Sequence, residues 1–315
     1  MQGSKKWPRR TLLGGAGLAG VSGVGAFLYR AAPGFWQQYA EDLKRPIVPS
    51  FHQPNPQDWP AKGLHAAWLG HTTVLLKLDG FTILTDPVFS DRAGIHLGLV
   101  TLGIKRLIAP ALDPDLLPPI DLILLSHAHM DHFDIPSLRR LANRRTGVVT
   151  ARYTSDLLRT PYYREVHELG WGEKVRIGPA TIRGLEVNHW GARVRTDTFR
   201  GYNGYLIEVG RHRVVFAGDT ALTNAFRDVK HTGRVQLAIM PIGAYNPWHR
   251  VHCTPEEAWE MSNDARADFI LPVHHQTFSL SREPLLEPIQ RLRRTARSTP
   301  ERIVLEHIGE EFHLS

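Results

Sequence analysis

Short apolar runs separated by turn residues are the main pattern from residue 64 onward. Continuous apolar runs of four to eight residues are typical of buried strands, whereas apolar residues at every third or fourth position are typical of helices. The runs predict strands at Leu64–Leu69, Val74–Leu78, Phe81–Leu84, Leu122–Leu125, Val148–Thr150, Thr181–Val187, Tyr202–Val209, Val214–Phe216, Gln236–Met240 and Phe269–Val273. Helices are predicted at Ile135–Leu141, Leu222–Val229, Pro255–Asn263 and Leu285–Ala296. Strands that alternate with helices predict a single α/β domain, which we place at residues 63–315.

The residues before this domain follow a different pattern. Residues 33–62 show little periodicity and contain Pro46, Pro49, Pro54, Pro56 and Pro60. Prolines at this density favour an extended segment on the protein surface rather than a helix. We therefore divide the chain into residues 1–32, an extended surface segment over 33–62, and the main domain.

The first thirty residues are basic at their start and weakly apolar afterwards. They contain five Lys or Arg residues and no acidic residue. The pair Arg9-Arg10, followed by an uncharged glycine-rich stretch, resembles a twin-arginine export signal. The same stretch is just long enough for an N-terminal membrane anchor. We expect a protein that is exported, and that is periplasmic or anchored on the outer side of the cytoplasmic membrane.

Charge and cysteine content exclude several classes of function. The net charge is +7, and residues 1–30 account for +5 of it, so the other 285 residues carry only +2. The main domain therefore lacks the basic excess of nucleic-acid-binding proteins, and we expect no nucleic-acid partner. Cys253 is the only cysteine, which excludes an intramolecular disulfide and a cysteine-based zinc ribbon. The seventeen histidines are an unusual excess that a metal site would explain.

The densest set of candidate metal ligands follows directly after the predicted strand Leu122–Leu125. The segment Ser126–His132 holds three imidazoles and one carboxylate within six residues: His127, His129, Asp131 and His132. Imidazole and carboxylate are the ligands that Zn²⁺ takes when no thiolate is present. Histidines that only capped the next helix would be buried without partners, which is costly. The segment therefore predicts a metal site.

This His-x-His-x-Asp-His pattern after a strand resembles the metallo-β-lactamase superfamily. The resemblance implies an αβ/βα four-layer sandwich in a single domain, with a site for one or two metals. It also implies three further ligands at strand ends, in the order His, Asp, His. The candidates in that order are His189, Asp219 and His274. His275 is the alternative to His274, although the Thr277-Phe278 that follows fits His274 better.

The resemblance implies a division of these ligands between two Zn²⁺ ions per chain. One ion would be held by His127, His129 and His189. The other would be held by Asp131, His132 and His274, with Asp219 as the bridge. Two divalent ions roughly 3.5–4 Å apart share a water and lower its pKa, so that it acts as a hydroxide nucleophile.

Other residues near these motifs have candidate roles. Asp131 and Asp219 are candidate catalytic residues as well as ligands. His252 would assist the phosphate or the leaving group, or cap the helix that begins near Pro255. We interpret His71 as a buried structural imidazole and Asp86 as a brace for a metal-binding histidine. Tyr245 is either a substrate contact or a packed aromatic residue.

Finer motifs over roughly residues 64–312 are similar to the branch that contains N-acylphosphatidylethanolamine-hydrolysing phospholipase D. They are Trp68-Leu69-Gly70-His71, Thr85-Asp86-Pro87, Pro241-Ile242-Gly243 and His252-Cys253-Thr254-Pro255. The similarity implies zinc-dependent hydrolysis of a phospholipid phosphodiester. The chain departs from this branch at His275-Gln276, where Trp-Gly is usual. L-ascorbate-6-phosphate lactonase-like proteins have a similar metal set, so a metal-dependent lactonase or another hydrolase is the alternative.

The expected partners follow from this reaction. They are a phospholipid or another phosphodiester substrate, a membrane surface that the N-terminal residues would contact, and a second copy of the chain in a homodimer. A diiron protein on the same fold is a competing interpretation. That class typically has Glu where this chain has His129, which favours zinc.

Overall fold

The computed structural model describes residues 33–98, 100–159 and 161–315. It divides the chain into two compact units, with the boundary between Pro46 and Ile47. In the first unit, Pro33–Lys44 forms helix α1. The extended segment expected over residues 33–62 is therefore wrong for its first part. Pro33 occupies the first helical position, where proline is tolerated, and the five other prolines all follow the end of α1.

The export signal or anchor predicted at residues 1–32 lies outside the described residues. None of the described helices combines the length and the apolar composition that crossing a membrane requires. Export and membrane anchoring stay predictions from the sequence.

The second unit, Ile47–Ser315, contains two large β-sheets and one hairpin. The first sheet has the order β15 (Glu311–Leu314), β1 (Leu64–Gly70), β2 (Thr73–Leu78), β3 (Phe81–Thr85), β6 (Leu122–Leu125), β7 (Gly147–Ala151), β8 (Glu165–Leu169). The second has the order β14 (Ala267–Val273), β13 (Val235–Pro241), β12 (His212–Phe216), β11 (Gly204–Val209), β10 (Ala180–Leu185), β9 (Lys174–Ile177). Strands β4 (Arg92–His96) and β5 (Thr101–Lys105) form the hairpin.

Neighbouring residues in the second sheet face different cores, because side chains along a strand alternate between its two faces. Ile207 and Ile239 are buried in the cluster that contains Leu76 and Ile123 of the first sheet. Their neighbours Leu206 and Met240 are buried in a second cluster. The two sheets therefore share one core, and the outer face of the second sheet is covered separately.

Helices cover the outer layers. The second cluster includes Met261 on α3 (Pro255–Asp264) and Leu292 on α4 (Glu287–Thr295). Helix α2 (Ile135–Leu141) contributes Leu138 to the cluster that includes the first sheet. The architecture is the αβ/βα sandwich that the sequence predicted.

Some predicted elements are wrong or were missed. The helix predicted at Leu222–Val229 is replaced by two short 3₁₀ turns, Ala225–Arg227 and Val229–Thr232. Leu222 is 42% exposed, so the apolar residues there do not form one buried helical face. Five strands were missed because they have no continuous apolar run: β4, β5, β8, β9 and β15. Each of them is exposed on at least one face or lies at a sheet edge.

Parallel strands bring the candidate ligands to one edge of each sheet. In the first sheet, β3 and β6 are parallel, so Asp86 and the segment Ser126–His132 follow neighbouring strand ends. In the second sheet, β12, β13 and β14 are parallel, so Asp219 and His274 do the same. The carboxyl ends of parallel strands meet at one edge, which is where α/β proteins place their sites.

Candidate metal centre

Three imidazoles form the first group of candidate ligands. His127 Nε2 lies 2.8 Å from His129 Nδ1, and His189 Nε2 lies 3.3 Å from the same nitrogen. His127 and His189 are almost completely buried. These are the three residues that the sequence assigned to the first metal, and the structure brings them together over 62 residues of chain.

The second group surrounds Asp131. Its Oδ2 lies 3.4 Å from His132 Nε2 and 3.5 Å from His274 Nε2. A third imidazole, that of His71, places its Nε2 3.0 Å from the same oxygen. The group therefore contains the three residues assigned to the second metal and one that was not.

Asp219 lies between the two groups. Its Oδ2 is 3.0 Å from His132 Nε2 and 3.1 Å from His274 Nε2. The same oxygen is 3.8 Å from His189 Nε2 and 3.9 Å from His127 Nε2. One carboxylate oxygen thus faces imidazoles of both groups, which is the position that the sequence assigned to a bridging ligand.

The electrostatics of His127, His189 and Asp219 suit metal binding. Burial lowers the pKa of His127 and of His189 well below the usual value, so both imidazoles are neutral donors at neutral pH. Burial opposes ionisation of Asp219, but the nearby His132 and His274 imidazoles hold its pKa well below the usual value. Neutral imidazoles and an ionised carboxylate are the forms in which these side chains bind a divalent cation.

The residues fit a metal for a second reason. Among the described residues, buried side-chain atoms without a hydrogen-bond partner concentrate at this edge, and they include His132 Nε2, His274 Nε2 and Asp219 Oδ1. Buried polar atoms without partners are rare and costly in folded proteins. A cation between the two groups would remove that cost, and the imidazole–carboxylate set matches the preference of Zn²⁺.

Further residues orient the candidate ligands. Asp86 is completely buried, and its Oδ2 lies 2.7 Å from His132 Nδ1 while its Oδ1 accepts the Ser126 N–H at 2.7 Å. His189 Nδ1 lies 2.8 Å from the Val251 carbonyl oxygen. Both contacts leave Nε2 of the histidine directed at Asp219. The structure therefore places Asp86 as the brace that the sequence predicted.

Replacing Asp86 by Asn tests this bracing. The amide keeps the shape but removes the charge from the atoms that orient His132, so we expect metal affinity to fall about 10–100-fold. Titration of the metal-free variant with Zn²⁺, compared with the metal-free parent protein, measures the change. Asp121→Asn is a matched control, because Asp121 also accepts a backbone N–H, from Thr82, but lies at the opposite end of β6. Equal affinities in parent and Asp86→Asn would contradict the assignment.

His71 corrects one sequence interpretation. Its imidazole is buried, as predicted, but it contacts Asp131 within the candidate centre. Its main chain is also tied to the centre, because its carbonyl oxygen accepts the His274 N–H at 3.1 Å. The sequence did contain an indication that His71 belongs to the centre, since His71 follows a buried strand as the other candidate ligands do.

The structure separates His274 from His275. His274 belongs to the second group, whereas the His275 ring stacks on Trp68 with centroids 4.7 Å apart. His275 thus lies away from the two carboxylates, in agreement with His274 as the candidate ligand.

The alternatives for His252 and Tyr245 are also resolved. Thr254 caps helix α3 through a capping box with Glu257, so His252 is not the cap. His252 Nδ1 instead lies 3.9 Å from Asp219 Oδ2, and burial lowers the pKa of this imidazole to about 4. Tyr245 donates a hydrogen bond to Glu287 and is a packed aromatic residue beneath Arg291.

Two residues at the centre were missed by the sequence analysis. Trp190 is 41% exposed, and the centroid of its ring lies 4.5 Å from the centroid of the His129 ring and 4.4 Å from that of the His189 ring. Arg193 Nη1 donates to the carbonyl oxygens of Ala128 and Phe133, which holds the two ends of the ligand segment. Trp190 directly follows His189 in the sequence, whereas nothing near Arg193 indicated its partners.

Comparisons with known proteins find relatives that match most of this chain. Residues 82–275 match the family model described as "Beta-lactamase superfamily domain". An uncharacterized protein of Mycobacterium tuberculosis is 32% identical over 281 residues, which cover 86% of this chain and 74% of that protein. N-acyl-phosphatidylethanolamine-hydrolyzing phospholipase D 1 of Caenorhabditis elegans is 32% identical over 249 residues, covering 73% of this chain and 69% of that protein.

A solved structure supports the fold. It is Igni18, described as a novel metallo hydrolase from the archaeon Ignicoccus hospitalis, with a TM-score of 0.61 and 18% identity. The match covers 81% of this chain and 99% of that one. At this level of identity, the likeness shows the shared architecture only.

Proposed function

Because the chain belongs to the metallo-β-lactamase superfamily and is a metal-dependent hydrolase, we propose that it cleaves phosphodiester bonds of phospholipids in a phospholipase D-type reaction. The substrates are of the N-acylphosphatidylethanolamine type. The observation that carries the proposal is the position of Asp219, whose Oδ2 faces imidazoles of both ligand groups. The name of the Caenorhabditis elegans relative supports the choice of substrate.

We propose two Zn²⁺ ions per chain, held by the residues assigned from the sequence, with His71 beside the second ion. Two such ions supply a water of lowered pKa and positive charge for the phosphate oxygens. The chain itself contributes Asp219 and Asp131, whose carboxylate oxygens would accept hydrogen bonds from the attacking water and orient it. Hydrolysis transfers the water oxygen to phosphorus and breaks the bond between phosphorus and the alcohol oxygen, and a proton goes to the alcohol.

His252 is the proposed donor to the reacting phosphate or to the leaving oxygen. Its imidazole is neutral at neutral pH and carries one N–H. Its Nδ1 has no hydrogen-bond partner among the described residues, and it lies beside Asp219. A neutral imidazole at this position can hydrogen-bond the substrate without repelling the metal ions.

The decisive experiment is digestion of mixed phospholipid vesicles by the zinc-loaded protein, followed by mass spectrometry of the products. We expect phosphatidic acid and N-acylethanolamine in equal amounts. Parallel assays use bis(p-nitrophenyl) phosphate and a simple lactone. Turnover of the lactone alone would replace the proposal by the lactonase alternative, and turnover of the diester without the lipid would limit it to phosphodiester hydrolysis.

A further inference from the structure

One cavity of the protein has the candidate ligand His274 in its lining. Its volume is about 270 Å³, and it lies between the loop after β13 and the segment after β14. Its lining includes Gly243 and Ala244 from the first loop and His274, Phe278 and Glu283 from the second segment. His274 also contacts Asp219 through its Nε2, at 3.1 Å, so the cavity and the candidate metal centre share this residue.

Glu283 is the one acidic side chain in the lining of this cavity. Its Oε1 accepts hydrogen bonds from the Ala244 N–H and the Ser281 hydroxyl, both at 2.6 Å. Among the residues that the structure describes, its Oε2 accepts only the Asn246 N–H, at 3.2 Å. Two carboxylate oxygens offer about four acceptor positions, so one position on Oε2 is free.

The charge of Glu283 is also uncompensated. Within the described part of the chain, no basic side chain forms an ion pair with this carboxylate, in contrast to Glu256, which pairs with Arg291 at 2.7 Å. A carboxylate with a free acceptor position and no counter-charge favours a ligand that donates a hydrogen bond.

His275 supplies an independent sign that the cavity binds a ligand. It is 4% exposed and lines the cavity, and neither ring nitrogen makes a hydrogen bond of normal geometry within the described residues. A buried polar group without a partner in a native protein usually marks a missing water or ligand.

The remaining lining is apolar. Leu107, Leu280 and Pro288 line the cavity, together with Leu285, which is 45% exposed. The cavity therefore combines a hydrogen-bond acceptor with an apolar path toward solvent, and His274 connects it to the candidate metal centre. A volume of about 270 Å³ holds the first part of an N-acylated amino alcohol and leaves the rest of the acyl chain outside.

We propose that this cavity binds the alcohol side of the phosphodiester, with Glu283 accepting the amide N–H of an N-acylethanolamine group. The apolar residues contact the start of its acyl chain. Glu283 is thus a specificity-determining residue, and the inference rests on the proposed phosphodiesterase function. A site built around a hydrogen bond rejects analogues that lack the donor far more strongly than it rejects a change in apolar bulk.

The test compares an N-acylphosphatidylethanolamine with its N-methyl analogue, which lacks the amide N–H. We expect the parent enzyme to have a kcat/KM at least about tenfold lower for the analogue. In Glu283→Gln, the amide oxygen stays with Ala244 and Ser281, and the NH₂ group replaces Oε2. The variant then offers a donor where the substrate needs an acceptor. We expect it to lose the parent's preference, so that the two lipids differ by less than about twofold.

Two controls make the result unambiguous. Glu168→Gln alters a similar carboxylate, which accepts the N–H groups of Tyr153, Thr154 and Ser155 away from the cavity, and it should keep the full preference. Bis(p-nitrophenyl) phosphate has no amide, so its hydrolysis by the parent enzyme measures diester cleavage apart from amide recognition, and in Glu168→Gln it should change less than about threefold.

The outcomes separate the two proposals. A preference that persists in Glu283→Gln would reflect the bulk of the methyl group and would overturn the inference. So would an equal preference for the two lipids in the parent enzyme. If the parent enzyme hydrolyses no phosphodiester at all, the proposed function itself is overturned.

Discussion

We expect Asp219→Asn to lower kcat/KM for bis(p-nitrophenyl) phosphate by at least about 10³-fold, or about 4 kcal/mol, while the protein stays folded. Asp219 Oδ2 is the oxygen that faces His132, His274 and the first ligand group. The amide keeps the shape of the side chain but removes the charge that holds two cations close together. Steady-state kinetics and circular dichroism of the variant measure the two parts of the prediction.

The matched control for this variant is Asp113→Asn. Asp113 is exposed and pairs with Arg140 on the surface, and such pairs contribute little to stability. It should keep parental activity. Metal analysis of Asp219→Asn should find fewer ions per chain than in the parent protein. A fully active Asp219→Asn would show that another group lies between the two ligand groups.

The sequence predicted the buried half of the fold better than the exposed half. Strand β6 is apolar throughout and buried throughout, so its pattern indicated its place directly. Strand β8, with the sequence Glu-Val-His-Glu-Leu, is mostly polar and lies at a sheet edge, where exposure lets polar residues enter a strand. Helix α1 was missed because the prolines that follow it led to the prediction of an extended segment over all of residues 33–62.

The candidate ligands were predictable because each one follows a strand whose apolar run is visible in the sequence. His71 was misjudged because its contact, Asp131, lies 60 residues away in the chain. Glu283 illustrates the same limit. Its partners Ala244 and Asn246 belong to a loop whose path depends on the packing of β13 against β14. Local pattern cannot supply contacts that the tertiary fold creates.

We expect removal of the metal to abolish activity and also to destabilise the domain. Ligands that bind only the folded state stabilise it by mass action, by about 4 kcal/mol at a thousandfold excess over the dissociation constant. For a domain of this size we expect Tm to fall by about 10 °C on dialysis against a chelator. The physical reason is the set of buried imidazole nitrogens and Asp219 Oδ1, which lack hydrogen-bond partners among the described residues. Without a bound cation, these unsatisfied polar atoms destabilise the folded state.

Re-addition of single metals decides which cation the centre takes. Zn²⁺ should restore both activity and Tm, because imidazoles outnumber carboxylates in both ligand groups. Mg²⁺ prefers oxygen ligands and should restore neither. Asp86→Asn, treated in the same way, should regain its Tm only at higher Zn²⁺ concentrations. A dialysed protein that contains less than about one tenth of an ion per chain, yet keeps its Tm and its activity, would show that the buried imidazoles serve the fold without a cation.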